Sequence, residues 1–298
     1  MIACICLHPA IDRTLELSDS LEVGGVNRTI RVYERAGGKA INVAGVLSVL
    51  GAECVAITVR AGFNGAKLEG LLNAQKINHK TLAVAGETRE CQAIISGEHP
   101  TEINESGPSL TARDLLELER LIPHEVTWVI VSGSLPPGIT TTVFSAWLQN
   151  LRAKYQVAVD TSGPALRAAL EMGVDLVKPN TQELEQLGLG ASEIFEQFGV
   201  NVLHSRGSDG LEYVGSQGRF SQAAAKIAVV NPVGAGDATL AGFIFALEQH
   251  QSVQVALKTA CACGAAACLE PVAGVISMGN VRKFLEPANP QSVGVVHA

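Results

Sequence analysis

From Thr111 to Leu187 the chain alternates short apolar runs with helix-patterned segments, and this rhythm limits the fold more than any other feature. The spacing predicts helices at 111–121, 141–153, 164–172 and 181–187, with strands at 126–132, 157–160 and 174–177 between them. Strands that read as unbroken apolar runs have both faces covered, and strand–helix alternation with short links implies a parallel sheet. The same reading gives earlier strands at 2–7, 54–59 and 81–84, and helices through Lys39–Leu50 and Lys67–Ala74. Later strands are expected at 200–204, 211–214 and 227–230, followed by helices over 238–248 and 253–269. The expected class is α/β.

Two stretches break the rhythm. Residues 13–33 and 88–104 alternate polar and apolar side chains, as half-exposed antiparallel strands do. They are expected to pair as a second, small sheet forming one lid. With 47% hydrophobic and 17% charged residues, the 298-residue chain can support one large domain or a main domain with an appendage. A net charge of −7 offers no general attraction to nucleic acid or to anionic membranes, so any phosphate has to be held by local donors. The seven cysteines are scattered, without a C-x-x-C pair, and read as reduced thiols of a cytoplasmic protein. No run approaches the ~20 apolar residues of a spanning helix, and the opening segment does not read as a signal peptide.

The densest chemical signal is Asn231-Pro232-Val233-Gly234-Ala235-Gly236-Asp237, which leads into an apolar helix. Gly-Ala-Gly at a helix start lets backbone N–H groups converge where the helix dipole favours an anion such as a phosphate. Asp237 beside it could take a proton from an attacking hydroxyl; its bland reading is an acidic first-turn residue. Other polar residues fall where strands end: Asp12 after 2–7, Ser132–Gly138 after 126–132, Asp160–Gly163 after 157–160, and Lys178-Pro179-Asn180 after 174–177. In an open α/β sheet those ends line the ligand crevice. Asn180 and Glu183 share one helix face and could hold Mg²⁺ directly or through waters, or could simply form a capping box. Ser205–Gly210 is a glycine-rich turn able to present N–H groups and Arg206 to phosphate, or an ordinary hairpin turn. Lys39 reads as an anion contact or a solvated lysine, and Arg89 as a ligand contact or a surface ion pair. P-loop, dinucleotide-turn, zinc and nucleophile-elbow patterns are absent.

Taken in order, His8-Pro9-Ala10-Ile11-Asp12, Gly37-Gly38-Lys39, Lys178-Pro179-Asn180 with Glu183, and Gly234-Ala235-Gly236-Asp237 resemble the ribokinase-like (PfkB) carbohydrate kinases along nearly the whole chain. Val26-Asn27-Arg28, Thr101–Pro108, Ser132–Gly138 and Asp160–Gly163 are most similar to the 1-phosphofructokinase and tagatose-6-phosphate kinase branch. The resemblance implies a three-layer αβα sandwich with a mainly parallel central sheet and a β lid. The body would comprise 1–12, 34–86 and 105–298, the lid 13–33 and 87–104. It implies transfer of the ATP γ-phosphoryl group to a hydroxyl of fructose 1-phosphate, tagatose 6-phosphate or fructose 6-phosphate. Asp237 would be the base, and the N–H groups of Val233, Gly234, Ala235 and Gly236 the anion hole. Asp12, Gly38, Lys39, Asn42 and Arg89 would hold the sugar. Lys178, Asn180, Ser205, Gly207, Gly210 and Cys261 would line the ATP side, with Glu183 and Asn180 ordering Mg²⁺. Paired lids would give a homodimer.

The chain departs from that branch on the sugar side. Ala40 stands for a glycine after Gly37-Gly38-Lys39, Gly45 for an arginine, and Glu90-Cys91-Gln92-Ala93 for Ile-Asn-Val-Lys. A Glu90 carboxylate pointing inward would repel a sugar phosphate. Competing expectations are therefore a kinase for an unphosphorylated sugar or nucleoside, a non-catalytic nucleotide or sugar-phosphate sensor, and an oxidoreductase. The missing dinucleotide turn disfavours the last.

Overall fold

The computed structural model describes residues 1–96 and 101–285. In chain order the first half contains β1 (Ile2–Cys6), β2 (Ala10–Leu17), β3 (Thr29–Gly37), α1 (Lys39–Val49), β4 (Cys54–Arg60), α2 (Gly62–Ala74), β5 (His79–Ala83), β6 (Arg89–Ile95), β7 (Thr101–Asn104), α3 (Ala112–Arg120) and β8 (Trp128–Ser132). The second half adds α4 (Thr141–Arg152), β9 (Gln156–Asp160), α5 (Gly163–Glu171), β10 (Leu176–Val177), α6 (Thr181–Leu187), α7 (Ala191–Phe198), β11 (Asn201–Ser205), β12 (Leu211–Gly215) and β13 (Gly218–Gln222). Helices α8 (Ala235–Glu248), α9 (Val253–Cys268) and α10 (Met278–Leu285) follow.

Nine strands form one sheet in the order β13-β12-β11-β10-β9-β8-β1-β4-β5. The pairs from β11 to β5 are parallel; β12 and β13 are antiparallel additions at one edge. Strand β1 shows why such a sheet needs two helical layers. Ile2, Cys4 and Cys6 point into a core shared with α1, α8 and α9, while Ala3, Ile5 and Leu7 point into another built with α3, α4 and α5. Period-2 side-chain alternation thus sends every second residue to each core, and no position is left for a polar side chain.

A second sheet of four strands has the order β3-β2-β6-β7. It joins the two alternating stretches, with β2 antiparallel to β3 and parallel to β6. It takes in more of the chain than the alternation suggests: β2 starts at Ala10, so Asp12 lies inside a strand, and β3 runs on to Gly37. The apolar run at 227–230 is not a strand. Val229 and Val230 are exposed, and the amides of Val230 and Asn231 both donate to the Cys268 carbonyl. The sheet edge is taken instead by β13, which folds back on β12 through Ser216-Gln217. Helices α7 and α10 add to those the sequence spacing gives. Among the described residues, no helix is long and apolar enough to cross a membrane.

Helix α8 is the central element of its layer. Its residues from Asp237 to Ile244 are buried, and the Phe243 ring stacks on Tyr213 of β12 with centroids 5.9 Å apart. Truncating Phe243 to alanine opens a cavity in a close-packed core, for an expected loss of about 3–5 kcal/mol. Urea unfolding should show a lower midpoint at unchanged slope. A loss below about 1 kcal/mol would mean that α8 is not held by this contact.

Candidate active site

Because the central strands are parallel, β8, β9, β10 and β11 all deliver their C-terminal residues to one side of the sheet. Register places Ser132 opposite Asp160, and Lys178 follows β10 beside them. Asp160, which the sequence marks only as a strand-end residue, is the centre of this floor. Its carboxylate is 1% exposed and lies 3.5 Å from the Lys39 ammonium and 3.4 Å from that of Lys178. The Ser132 hydroxyl donates to it at 3.3 Å. Burial pushes the Asp160 carboxyl up, but the two ammonium groups outweigh it and hold the group below its ordinary range. Asp160 in turn raises the pKa of Lys39.

Helix α8 starts above this floor. Gly234 has φ +81°, and a Cβ there would run into the backbone of Gly274, so only glycine fits. Of the four amides expected to form an anion hole, two are already used: Val233 donates to Asn231 Oδ1 and Ala235 to the Pro232 carbonyl. The N–H groups of Gly234, Gly236 and Asp237 have no acceptor among the described residues. A Cβ on Gly236 would sit 3.3 Å from Lys178 Nζ, so the turn and the lysine converge.

Asp237 is 5% exposed and accepts a hydrogen bond from Asn42 Nδ2 at 2.8 Å. Burial raises its pKa to about 6; the Asp160 charge adds to the rise, and Lys39, the Asn42 bond and Lys178 oppose it. A carboxylate at a helix start with a pKa near neutrality is suited to accept a proton from a bound hydroxyl.

On the small-sheet side, burial lifts Asp12 to about 6 against the pull of Arg35 and Arg89. Arg35 feels the charges of both Asp12 and Asp237 and so links the two carboxylates electrostatically; the sequence reading did not single it out. A cavity of about 150 Å³ lies here, lined by residues including Asp12, Tyr33, Arg35 and Val272. Gly38 has φ +115°, and a Cβ there would meet Cys6 Sγ at 2.6 Å. Arg89 is not in a surface ion pair. It donates to the carbonyls of His8 (3.0 Å), Pro9 (3.4 Å) and Glu105 (3.4 Å). Glu90, the next residue along β6, projects from the opposite face and pairs with Arg13 at 3.2 Å. Its carboxylate is therefore turned away from Asp12.

At the far end of the floor, Asn180 and Glu183 form the capping box. Asn180 Oδ1 accepts from the Glu183 amide at 2.8 Å, and Glu183 Oε2 from the Asn180 amide at 2.9 Å. Glu183 Oε1 stays free, and the Glu183 charge reaches Lys39. Among the described residues no cluster of three or more His, Cys, Asp or Glu could cage a metal. Mg²⁺ keeps much of its hydration and needs few protein ligands, and the free Glu183 Oε1 is able to accept from one of its waters. Ser205 pairs with Asn180 across the strand ends, and its amide donates to the Pro179 carbonyl. Gly207 (φ +56°) and Gly210 (φ +91°) shape the following turn, and a Cβ on Gly210 would strike the backbone of Gln222. Cys261 Sγ lies 3.7 Å from the same Gln222 carbonyl. Its thiol is pushed up to about 11 by burial and so stays protonated at neutral pH.

A model described as the pfkB family of carbohydrate kinases matches residues 6–277. Phosphofructokinase-2 from Escherichia coli, solved in complex with potassium, is similar at 25% identity with TM-score 0.88, covering 96% of this chain and 97% of that one. A proposed phosphofructokinase from Staphylococcus aureus is 28% identical with TM-score 0.78, covering 96% of each chain. A proposed 1-phosphofructokinase from Thermotoga maritima, 23% identical with TM-score 0.78 over 96% of this chain and 97% of that one, shares the fold.

Asp237 couples the stability of the fold to pH even without a substrate. Burial lifts its folded-state pKa to about 6, above the ordinary aspartate value, so the folded protein holds this proton more tightly than the unfolded one. Stability therefore falls as pH rises through that window, and the ionised group carries a cost of about 3 kcal/mol at pH 7.5. Asp237→Asn should melt higher than the parent at pH 7.5, with the gap shrinking toward pH 4. A gap independent of pH would mean the carboxyl is not perturbed.

Proposed function

Because the chain belongs to the pfkB family of carbohydrate kinases, we propose that it moves the γ-phosphoryl group of ATP to a hydroxyl of a phosphorylated ketohexose. The candidates are fructose 1-phosphate, tagatose 6-phosphate and fructose 6-phosphate. The observation that carries this reading is Asp237, a buried carboxylate with pKa about 6 beside unbonded helix-start amides and two lysines.

In this reading the sugar hydroxyl loses its proton to Asp237 as its oxygen attacks the γ-phosphorus and the bond to ADP breaks. Asn42 holds Asp237 in place through its Nδ2 donation. The N–H groups of Gly234 and Gly236 meet the charge that grows on the equatorial oxygens. Lys39 and Lys178 share that task from the floor. Asp12 holds sugar hydroxyls; Gly38, Lys39 and the remaining N–H groups of Arg89 approach the sugar or its phosphate. Ser205, Gly207, Gly210 and Cys261 line the nucleotide side with Lys178 and Asn180. Mg²⁺, when bound with ATP, neutralises phosphate charge, and Glu183 Oε1 would hold one of its waters. The four-stranded sheet serves as the lid. Leu15, Val32, Ile94 and Ile103 share the face opposite Asp12, and Val32 and Ile103 are 43% and 53% exposed, which suits pairing of two lids in a homodimer.

One observation favours an unphosphorylated sugar as the second reading: Arg89 spends three of its N–H groups on backbone carbonyls. A coupled assay of ATP consumption over ketohexoses and their phosphates separates the two. Turnover of a phosphorylated ketohexose is expected, and turnover of none of these compounds would remove the kinase proposal. Asp237→Asn should lower kcat by about 10²–10⁴-fold with little change in ATP affinity. The parent's kcat should fall as pH drops through about 6, where Asp237 takes up its proton. Arg89→Ala should mainly raise KM for the sugar phosphate; an unchanged KM would take Arg89 out of the site.

A further inference from the structure

His8 has no part in the chemistry above, yet it sits where the two sheets meet. Leu7, His8 and Pro9 carry the chain from β1 of the large sheet to β2 of the small one. His8 is 8% exposed, and its ring bridges two segments far away in sequence: Nε2 lies 2.7 Å from the Ser106 carbonyl and Nδ1 3.0 Å from Ser134 Oγ. A carbonyl only accepts, so Nε2 carries the hydrogen. In the neutral ring Nδ1 is then the acceptor, and the Ser134 hydroxyl donates to it. Burial and the charge of Arg89 push the His8 pKa down to about 4, so this single tautomer persists at neutral pH.

The contacts around His8 converge on the same joint. Its carbonyl and that of Pro9 receive Arg89, the first residue of β6. The segments it bridges are themselves joined by the Leu110 amide donating to the Pro137 carbonyl at 2.9 Å. A Cβ on Gly107 would lie 2.9 Å from His8 Nε2, so the ring is enclosed on that side. Arg89 and Asp12 both hang from the small sheet within a few residues of this joint, and Ser134 lies in the loop at the end of β8.

We propose that His8 is a positioning residue: its imidazole clamps the crossover between the sheets to the Ser134 loop and to the return segment at Ser106. This fixes the stance of the small sheet, and with it Asp12 and Arg89, over the crevice. The role rests on the kinase reading, because Asp12 and Arg89 act on the sugar only there; the clamp itself does not depend on it.

Three full-length variants separate the arms. His8→Phe keeps bulk and loses both polar contacts. His8→Asn keeps an acceptor toward Ser134, and His8→Gln keeps a donor toward Ser106. In His8→Phe, hydrogen exchange in peptides covering Glu105–Leu110 should quicken by about tenfold or more. KM for the turned-over sugar phosphate should rise by about tenfold or more, with KM for ATP within about twofold, because misplaced positioning groups penalise only the substrate they hold. Asn and Gln should each restore part of both properties. Parental exchange and parental KM in His8→Phe would overturn the proposal, as would equal rises in both KM values. If His8→Phe does not fold, the decision passes to Asn and Gln, and parental behaviour in both would overturn it. If the parent turns over no sugar phosphate, the functional reading fails by itself, and the exchange measurement alone decides the clamp.

Discussion

One buried carboxylate organises the floor of the crevice. Asp160 is almost wholly removed from water and is tolerated there because two ammonium groups and one hydroxyl close around it. The relation is mutual. Lys178 is 5% exposed, and among the described residues Asp160 is the one carboxylate within ion-pair distance of its buried charge. With Asp237 ionised, the four groups Lys39, Lys178, Asp160 and Asp237 sum to zero net charge. The floor is thus neutral overall, although it holds two ammonium groups. The chain has a net charge of −7 and still gathers two cations here, because they are held by local partners and not by the overall field.

Asp160 also sets the character of its neighbour. Its negative charge is the second cause, after burial, of the raised pKa of Asp237, while the lysines it anchors pull the other way. Beyond burial, the protonation of the Asp237 carboxyl at the start of α8 therefore responds to a residue at the end of β9. The parallel register that sets Ser132 against Asp160, and the next strand that delivers Lys178, make that coupling possible.

The layout of the large sheet was legible because its strands are short apolar runs and its links are short, so local pattern and global fold agree. The Gly234–Asp237 turn was legible for a similar reason: Gly-Ala-Gly before an apolar helix has few other uses. What escaped depended on pairing. The apolar run at 227–230 looks like a strand, but the Gly218–Gln222 segment reaches the sheet edge first through a two-residue turn. The role of Asp160 required knowing which strands are neighbours. For Asn180 and Glu183 the pattern could not separate a cap from a metal contact; the cap is present, and it leaves one Glu183 oxygen free. Glu90 looked capable of repelling a sugar phosphate, and alternation along β6 turns it to Arg13 instead.

The contact of Gly234 with Gly274 has a consequence for how such a chain can change. Space for a side chain is missing at both positions: a Cβ on Gly234 would meet the Gly274 backbone, and one on Gly274 would meet the side chain of Asn42. Helix α1, the start of α8 and the loop before α10 therefore touch at one point with no slack. A heritable change in any of the three has to be answered in the other two. The loop that follows α9 is thus held against the start of α8 by close packing of backbone on backbone and by the Asn231 side chain, which donates to the Pro271 carbonyl at 3.1 Å.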